Sequence, residues 1–197
     1  MKRLIAGLMC CLLAGTFPLA QAEKADALKP GKLTATGSVI ANTGNKGATV
    51  DGDVEFTRGT MIVKAGKAVT REDPEGYIYA TFFAAPGKLA TFRQKQDGGD
   101  LWFEGEGERI EYDGKLEIIK FFSRARVAQL EGAKVVRQGT GPYISYNSRT
   151  EIFEVINSVS GESKKGGGRV EFIFESNRKP PPPVAPVPPS TTTPVIK

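Results

Sequence analysis

The chain has 197 residues, 25% charged and 40% hydrophobic, enough for one packed domain plus tails. It carries 27 basic and 22 acidic residues, a formal charge of +5, with two cysteines and no histidine. The missing imidazole excludes His-based triads and the ordinary zinc constellations.

Met1-Lys2-Arg3 is a short basic start, and Leu4 to Leu19 is an apolar run. Ala20-Gln21-Ala22 has the small-x-small form that signal peptidase reads. Residues 1–22 are therefore expected to be a cleaved signal peptide, with Glu23 as the mature N-terminus. The run is shorter than the roughly 20 residues a membrane-spanning helix needs. Cys10 and Cys11 come too early in it for a lipoprotein cleavage site. Cleavage removes both cysteines together with Lys2 and Arg3. That leaves 25 basic residues against 22 acidic ones, or +3. Such a chain folds on its core and hydrogen bonds alone. Basic residues do interleave with Tyr and Phe, but an exported protein of so small a charge is not expected to bind nucleic acid.

Residues 23–31 are polar and read as a flexible N-terminus. From Lys32 the chain reads as strands separated by turn chemistry. Lys32 to Ile40 alternates weakly, and Asn42 to Gly47 is a turn. Ala48 to Thr57 follows, with Val50, Gly52, Val54 and Phe56 on one face, and Arg58-Gly59 turns it. Thr60 to Ala65 returns with Met61, Val63 and Ala65 opposite Lys64. Arg71 to Gly76 places Pro and Gly as turns demand. Tyr77 to Phe83, Leu89 to Lys95 and Trp102 to Tyr112 are further strands, and Asp113-Gly114-Lys115 is a strong hairpin signal.

The central stretch is Glu117 to Val127. Ile119, Phe121, Ser123, Ala125 and Val127 share one set of alternate positions; Ile118, Lys120, Phe122, Arg124 and Arg126 share the other. Side chains alternate faces along a strand, so one face is apolar and the other largely cationic. A helix would scatter the three charges around its circumference, so the period of two is preferred. A loop is expected near Leu130 to Lys134. Strands follow through Val135-Val136, Tyr143 to Tyr146 and Thr150 to Asn157. Ser158 to Gly168 reads as a loop, and Val170, Phe172 and Phe174 end the domain on one face.

Ten or more short strands with no convincing helical period indicate an all-β sandwich, barrel or roll. Gly107 to Ile119 also resembles Gly141 to Phe153, shifted by 34 residues, with a weaker copy from Gly37. Each unit is strand, tight turn, strand, as in a sheet of stacked hairpins. Residues 32–176 are expected to form this β domain. Residues 177–197 hold eight of the 13 prolines and read as a solvated, disordered tail that cannot build a core.

Catalytic inventory is thin. Glu104, Glu106 and Glu108 fall on one face of a strand, whereas glycoside hydrolysis needs carboxylates opposed across a cleft. Gly166-Gly167-Gly168 follows two lysines, but no helix follows it to complete a phosphate loop. No enzyme, metal site or cofactor is expected. The apolar inner face reads either as a closed core between two sheets or as a cavity that accepts lipid.

Gly52-Asp-Val-Glu-Phe-Thr-Arg-Gly-Thr-Met-Ile-Val-Lys-Ala65 resembles the G-x-V-x-x-x-Q-G-T-x-x-x-x-A-D signature of the lipopolysaccharide-transport protein A family, the OstA-like domain. Leu89 to Lys95 with Phe103-Glu-Gly105 and Ile110-Glu-Tyr112 is similar to the family's next block. Ile119 to Val127 and Gly141 to Tyr146 are similar to a third. The likeness covers about Lys32 to Asn157. It departs at Gly66, where the family has Asp, at Thr36-Gly37, which replace Ala-Asp, and at Pro142, which replaces a polar residue.

The resemblance implies an incomplete β-jelly roll or β-taco, open at both ends. It implies a periplasmic carrier that stacks head to tail and moves lipopolysaccharide from inner to outer membrane. The partners would be an inner-membrane LptC-like component and an outer-membrane LptD-like translocon. Val54, Phe56, Met61, Val63, Phe92, Ile119, Phe121 and Val127 are then the expected lining for lipid A acyl chains. Arg58, Lys64, Arg124 and Arg126 are candidate contacts for phosphates or other anions. The alternatives are a membrane-tethered LptC-like component, which needs an uncleaved anchor, and a closed-core structural or chaperone module.

Overall fold

A computed structural model describes residues 26–176. The expected signal peptide and proline-rich tail lie outside the described residues. Twelve antiparallel strands form one connected sheet. They are β1 (Lys32–Thr34), β2 (Val39–Asn42), β3 (Gly47–Arg58), β4 (Met61–Glu72), β5 (Ile78–Phe83), β6 (Ala90–Lys95), β7 (Leu101–Gly107), β8 (Arg109–Asp113), β9 (Ile118–Glu131), β10 (Lys134–Asn147), β11 (Ile152–Ile156) and β12 (Glu171–Phe174).

Four strands, β3, β4, β9 and β10, run for 12 to 14 residues, and each changes partners partway along. Residues 67–72 of β4 pair with β5, but residues 62–64 pair with β6. Residues 118–122 of β9 pair with β8, and residues 126–131 with β7. β10 pairs with β11 through its C-terminal half and with β12 through residues 137–140. At the other end, β3 gives its first half to β2 and its second to β1. The sheet is thus folded over into two layers. One runs β2-β3-β4-β5-β8-β9-β10-β11 and the other β1-β3-β4-β6-β7-β9-β10-β12, sharing the four long strands.

All the layer changes fall on one side, which we call the spine. β3 bends at Gly52 and Asp53, with φ of 88° and 39°, and β9 bends at Ser123 and Arg124, with φ of 58° and 53°. Such bulges increase twist and bend a strand without ending it. Hydrogen bonds continue across the bend, from Thr36 N–H to Gly52 O at 2.8 Å and from Ala84 N–H to Glu108 O at 2.9 Å. The hairpin tips of both layers lie on the opposite side, the mouth.

The three departures from the family pattern all sit on the spine. A Cβ on Gly37 would lie 2.3 Å from the Asp51 carbonyl oxygen, and one on Gly66 would lie 2.7 Å from the Ala85 Cα. Pro142 stands at a register shift, unpaired with β9, so its missing N–H costs no ladder bond.

Between β4 and β9 both layers are bridged, by β5-β8 and by β6-β7, so the middle is a closed six-strand ring. Beyond the ring the layers end separately, in β1 and β2 on one side and β11 and β12 on the other. The result is an incomplete jelly roll open at both ends. The repeats at Gly37, Gly107 and Gly141 are the first, third and fourth hairpins of the first layer, with β4-β5 as the second, each running from spine to mouth and back.

Some expected elements are divided differently. Lys32 to Ile40 splits into β1 and β2, and Trp102 to Tyr112 splits into β7 and β8 at Glu108, because both stretches cross the spine. The loop expected near Leu130 to Lys134 is only the Gly132-Ala133 turn, with Gly132 at φ 60°.

Candidate functional site

Alternation puts one apolar row from each layer between the layers. The eight expected lining residues all lie in this interior, in one cluster, each at 3% exposure or less. Ile119 and Phe121 come from the first layer; Val54, Phe56, Met61, Val63, Phe92 and Val127 come from the second. The rows meet in the middle. Ring centroids of Phe92 and Phe121 are 5.9 Å apart, those of Phe56 and Phe82 5.7 Å, and Phe103 stacks on Tyr146 at 3.7 Å. A Cβ on Gly105 would lie 2.4 Å from the Phe121 ring, so Phe121 is a wedge fitted against bare backbone.

Toward the ends the rows meet water. Phe153, Phe172 and Phe174 form a chain of rings at 5.7 and 5.8 Å, with Phe172 51% and Phe174 69% exposed. At the opposite end Val39, paired with Val50, is 57% exposed, and Leu33, paired with Phe56, packs half-buried against the cluster. The interior therefore continues as apolar surface from one edge to the other. Phe82, Phe103, Ile110, Ile144 and Tyr146 belong to it as fully as the expected eight. Their alternate spacing within β5, β7, β8 and β10 was the signal that could have found them.

The four candidate cations separate. Lys64 pairs with Glu55 at 3.3 Å and Arg126 with Glu106 at 3.8 Å on the outer face. Arg124, at the spine, pairs with Glu108 at 2.8 Å. Arg58 alone of the four is at the mouth, and no described carboxylate pairs with it. Its Nη1 donates to the Tyr112 hydroxyl at 2.9 Å, its Nε to the Lys29 carbonyl at 3.0 Å, and its Nη2 to the Ala27 carbonyl. Burial pushes the Tyr112 phenol up, and the Arg58 guanidinium pulls it the other way. Farther along the mouth, Gln96 Nε2 donates to the Tyr146 hydroxyl at 3.0 Å, and Gln129 Nε2 donates to Gln96 Oε1 at 2.7 Å. Arg58–Tyr112 and Gln96–Tyr146 thus tie one layer to the other.

The carboxylate row is not a reaction centre. Glu104 pairs with Arg93 and Glu106 with Arg126 at opposed positions on neighbouring strands, and Glu108, at the spine, pairs with Arg124. A depression of about 580 Å³, lined by Ile62, Lys64, Arg93, Glu104 and Arg126 among others, lies on this same outer face. Exposed pairs contribute little because water and salt screen them. Alanine at each of the three glutamates is expected to cost less than about 1 kcal/mol in a urea melt. It should leave complementation of a depletion strain intact.

A two-layer sheet folded along one side, with an apolar interior and unjoined ends, defines the open jelly-roll class. The family described as LptA/(LptD N-terminal domain) LPS transport protein matches residues 32–152, and the chain belongs to it. It is a family of transport proteins, not of enzymes. Among solved structures the fold is similar to the crystal structure of LptH, described as the LptA homologous periplasmic component of the conserved lipopolysaccharide transport device from Pseudomonas aeruginosa. The TM-score is 0.65 at 20% identity, covering 77% of this chain and 99% of that one. Comparison with curated protein sequences gives no match.

Proposed function

We propose that the protein carries lipopolysaccharide through the periplasm, as one section of a head-to-tail bridge from the inner to the outer membrane. The observation that carries this reading is the apolar interior, continuous from one exposed edge to the other. Membership of the transport family and the likeness to a periplasmic component support it. The expected signal peptide supplies the export.

The acyl chains lie between the rows formed by Val54, Phe56, Met61, Val63, Phe92, Ile119, Phe121 and Val127, and the phosphate-bearing head stays at the mouth near Arg58. Because the rows meet, cargo must part the layers. Burying a methylene is worth about 0.8 kcal/mol, so several acyl chains in an empty groove would be held too tightly to release. Here each acyl contact replaces a side-chain contact of the same apolar kind. Only the difference holds the cargo, and handover between copies exchanges one apolar surface for another. The unpaired edges β1 and β2, and β11 and β12, are suited to strand addition by a second copy, an LptC-like component or an LptD-like translocon.

A photo-crosslinking residue at Phe121 or Val63 should capture lipopolysaccharide, and one at Arg124 should not. Equal capture at all three positions, or none at Phe121 and Val63, removes the carrier reading. The contact of the rows in the middle favours one other reading, a closed-core structural module. That reading requires no lipid in native mass spectra of the purified protein.

A further inference from the structure

Residues 26–31 lie across the mouth at the end where β1 begins. Gly31 sits between the layers; a Cβ there would lie 3.0 Å from the Phe56 ring and 3.3 Å from Ile78 Cδ1. The carbonyls of Lys29 and Ala27 take two of the Arg58 donors. Asp26, in this segment, is 3% exposed. Its carboxylate accepts hydrogen bonds from the Thr60 N–H at 2.9 Å, from the Thr60 hydroxyl, and from Gln94 Nε2 at 3.4 Å. The seat exists only because residue 59 has no side chain. Gly59 has φ of 59°, and a Cβ on it would lie 1.8 Å from Asp26 Oδ1.

The segment is held by these polar contacts and by little apolar burial, since Leu28 is 89% exposed. Few buried contacts place a segment at the low end of local stability. Among the described residues Arg58 is meanwhile satisfied by neutral oxygens: two backbone carbonyls and a phenol. The Arg58 bonds are already charge-assisted from the donor side; a phosphate adds the opposite charge and oxygens that can pair with the guanidinium two at a time. A phosphate arriving at the mouth is therefore a better partner for Arg58 than the carbonyls it would displace.

We infer that residues 26–31 form a strap closing the mouth, pinned by Asp26 in the Gly59–Thr60 turn, and that a lipid-borne phosphate opens it by taking Arg58. This rests on the carrier reading and adds to it the order of events. The anionic head engages first, the strap lifts from Phe56 and Ile78, and the acyl chains then enter between the layers. The ligand class is a phosphorylated amphiphile. The phosphate competes for the guanidinium and the acyl chains cover the apolar surface that the strap leaves.

Amide hydrogen exchange on the full chain tests this in four arms: protein alone, with inorganic phosphate, with lipopolysaccharide, and with lipopolysaccharide stripped of its phosphates. Exchange of the Lys29 amide, which donates to the Asp26 carbonyl at 3.0 Å, should rise about tenfold with the phosphorylated lipid as the segment lifts and its local structure loosens. It should stay at the lipid-free rate in the other arms. Asp26→Ala should give the same rise without lipid, and so should Gly59→Ala, by expelling the carboxylate. Unchanged exchange at Phe121 and Tyr146 reports that each variant is folded. If inorganic phosphate opens the strap as well as the lipid does, the amphiphile is not the key and the inference fails. If the lipid crosslinks at Phe121 while the Lys29 amide stays protected, the strap inference fails and the carrier reading stands. If no lipid crosslinks to the wild-type chain, both fall together.

Discussion

Phe121→Ala is expected to lower the unfolding free energy by about 3–5 kcal/mol. That is a large part of the roughly 5–15 kcal/mol that holds a typical domain together. Phe121 is fully buried, touches Phe92 edge-on, and fills the space above Gly105. Truncation removes the transfer energy of the ring and leaves a cavity in the closed part of the sheet, where β-strands on both sides limit collapse. The urea midpoint should fall with the slope unchanged, since the same surface is exposed on unfolding. Gly105→Ala should destabilise for the opposite reason, overpacking, by about 1–3 kcal/mol. In combination, Phe121→Leu should recover part of the Gly105→Ala loss, because the two positions share one space and their effects cannot add. Strict additivity would show that the wedge is not the contact described above.

The second large effect belongs to the spine. Gly66→Asp installs the residue common in the family, yet it should destabilise this chain by about 1–3 kcal/mol. The new Cβ would meet the Ala85 backbone, 2.7 Å from its Cα and 2.8 Å from its nitrogen. Backbone cannot rotate away as a side-chain tip can, and Ala84 beside it holds a rung of the spine through Glu108. Ala85→Gly should rescue little, since it removes the methyl at 2.9 Å but not the nearer backbone atoms. Gly168→Ala is the control. Nothing lies within 4 Å of that position, so the change should fall within about 0.5 kcal/mol of wild type. A Gly66→Asp protein as stable as wild type would mean that the layers are free to slide apart at the spine.

The inner row was readable because it is a local property. Ile119, Phe121, Ala125 and Val127 share a parity, and parity survives the bend at Ser123 and Arg124. The hairpin repeat was readable for the same reason, through its turn residues. Arg58 could not be told from Lys64, Arg124 or Arg126 by sequence, since all four are cations beside apolar strand positions. What distinguishes it is the company of Tyr112 and residues 27 and 29, which are remote along the chain. Likewise, nothing near Asp26 announces a buried carboxylate; its seat is a glycine turn more than thirty residues away.

Strand character, the apolar and charged faces, and the all-β class are determined by the order of residues alone, because side chains alternate whatever the partner strand. Folding the sheet into two layers was decided only in three dimensions. Glu108 and Ser123 carry no breaking signal; they become bends because the backbones of distant strands approach there. The closed central ring, the unjoined ends and the strapped mouth all follow from those long-range pairings, which no local pattern encodes.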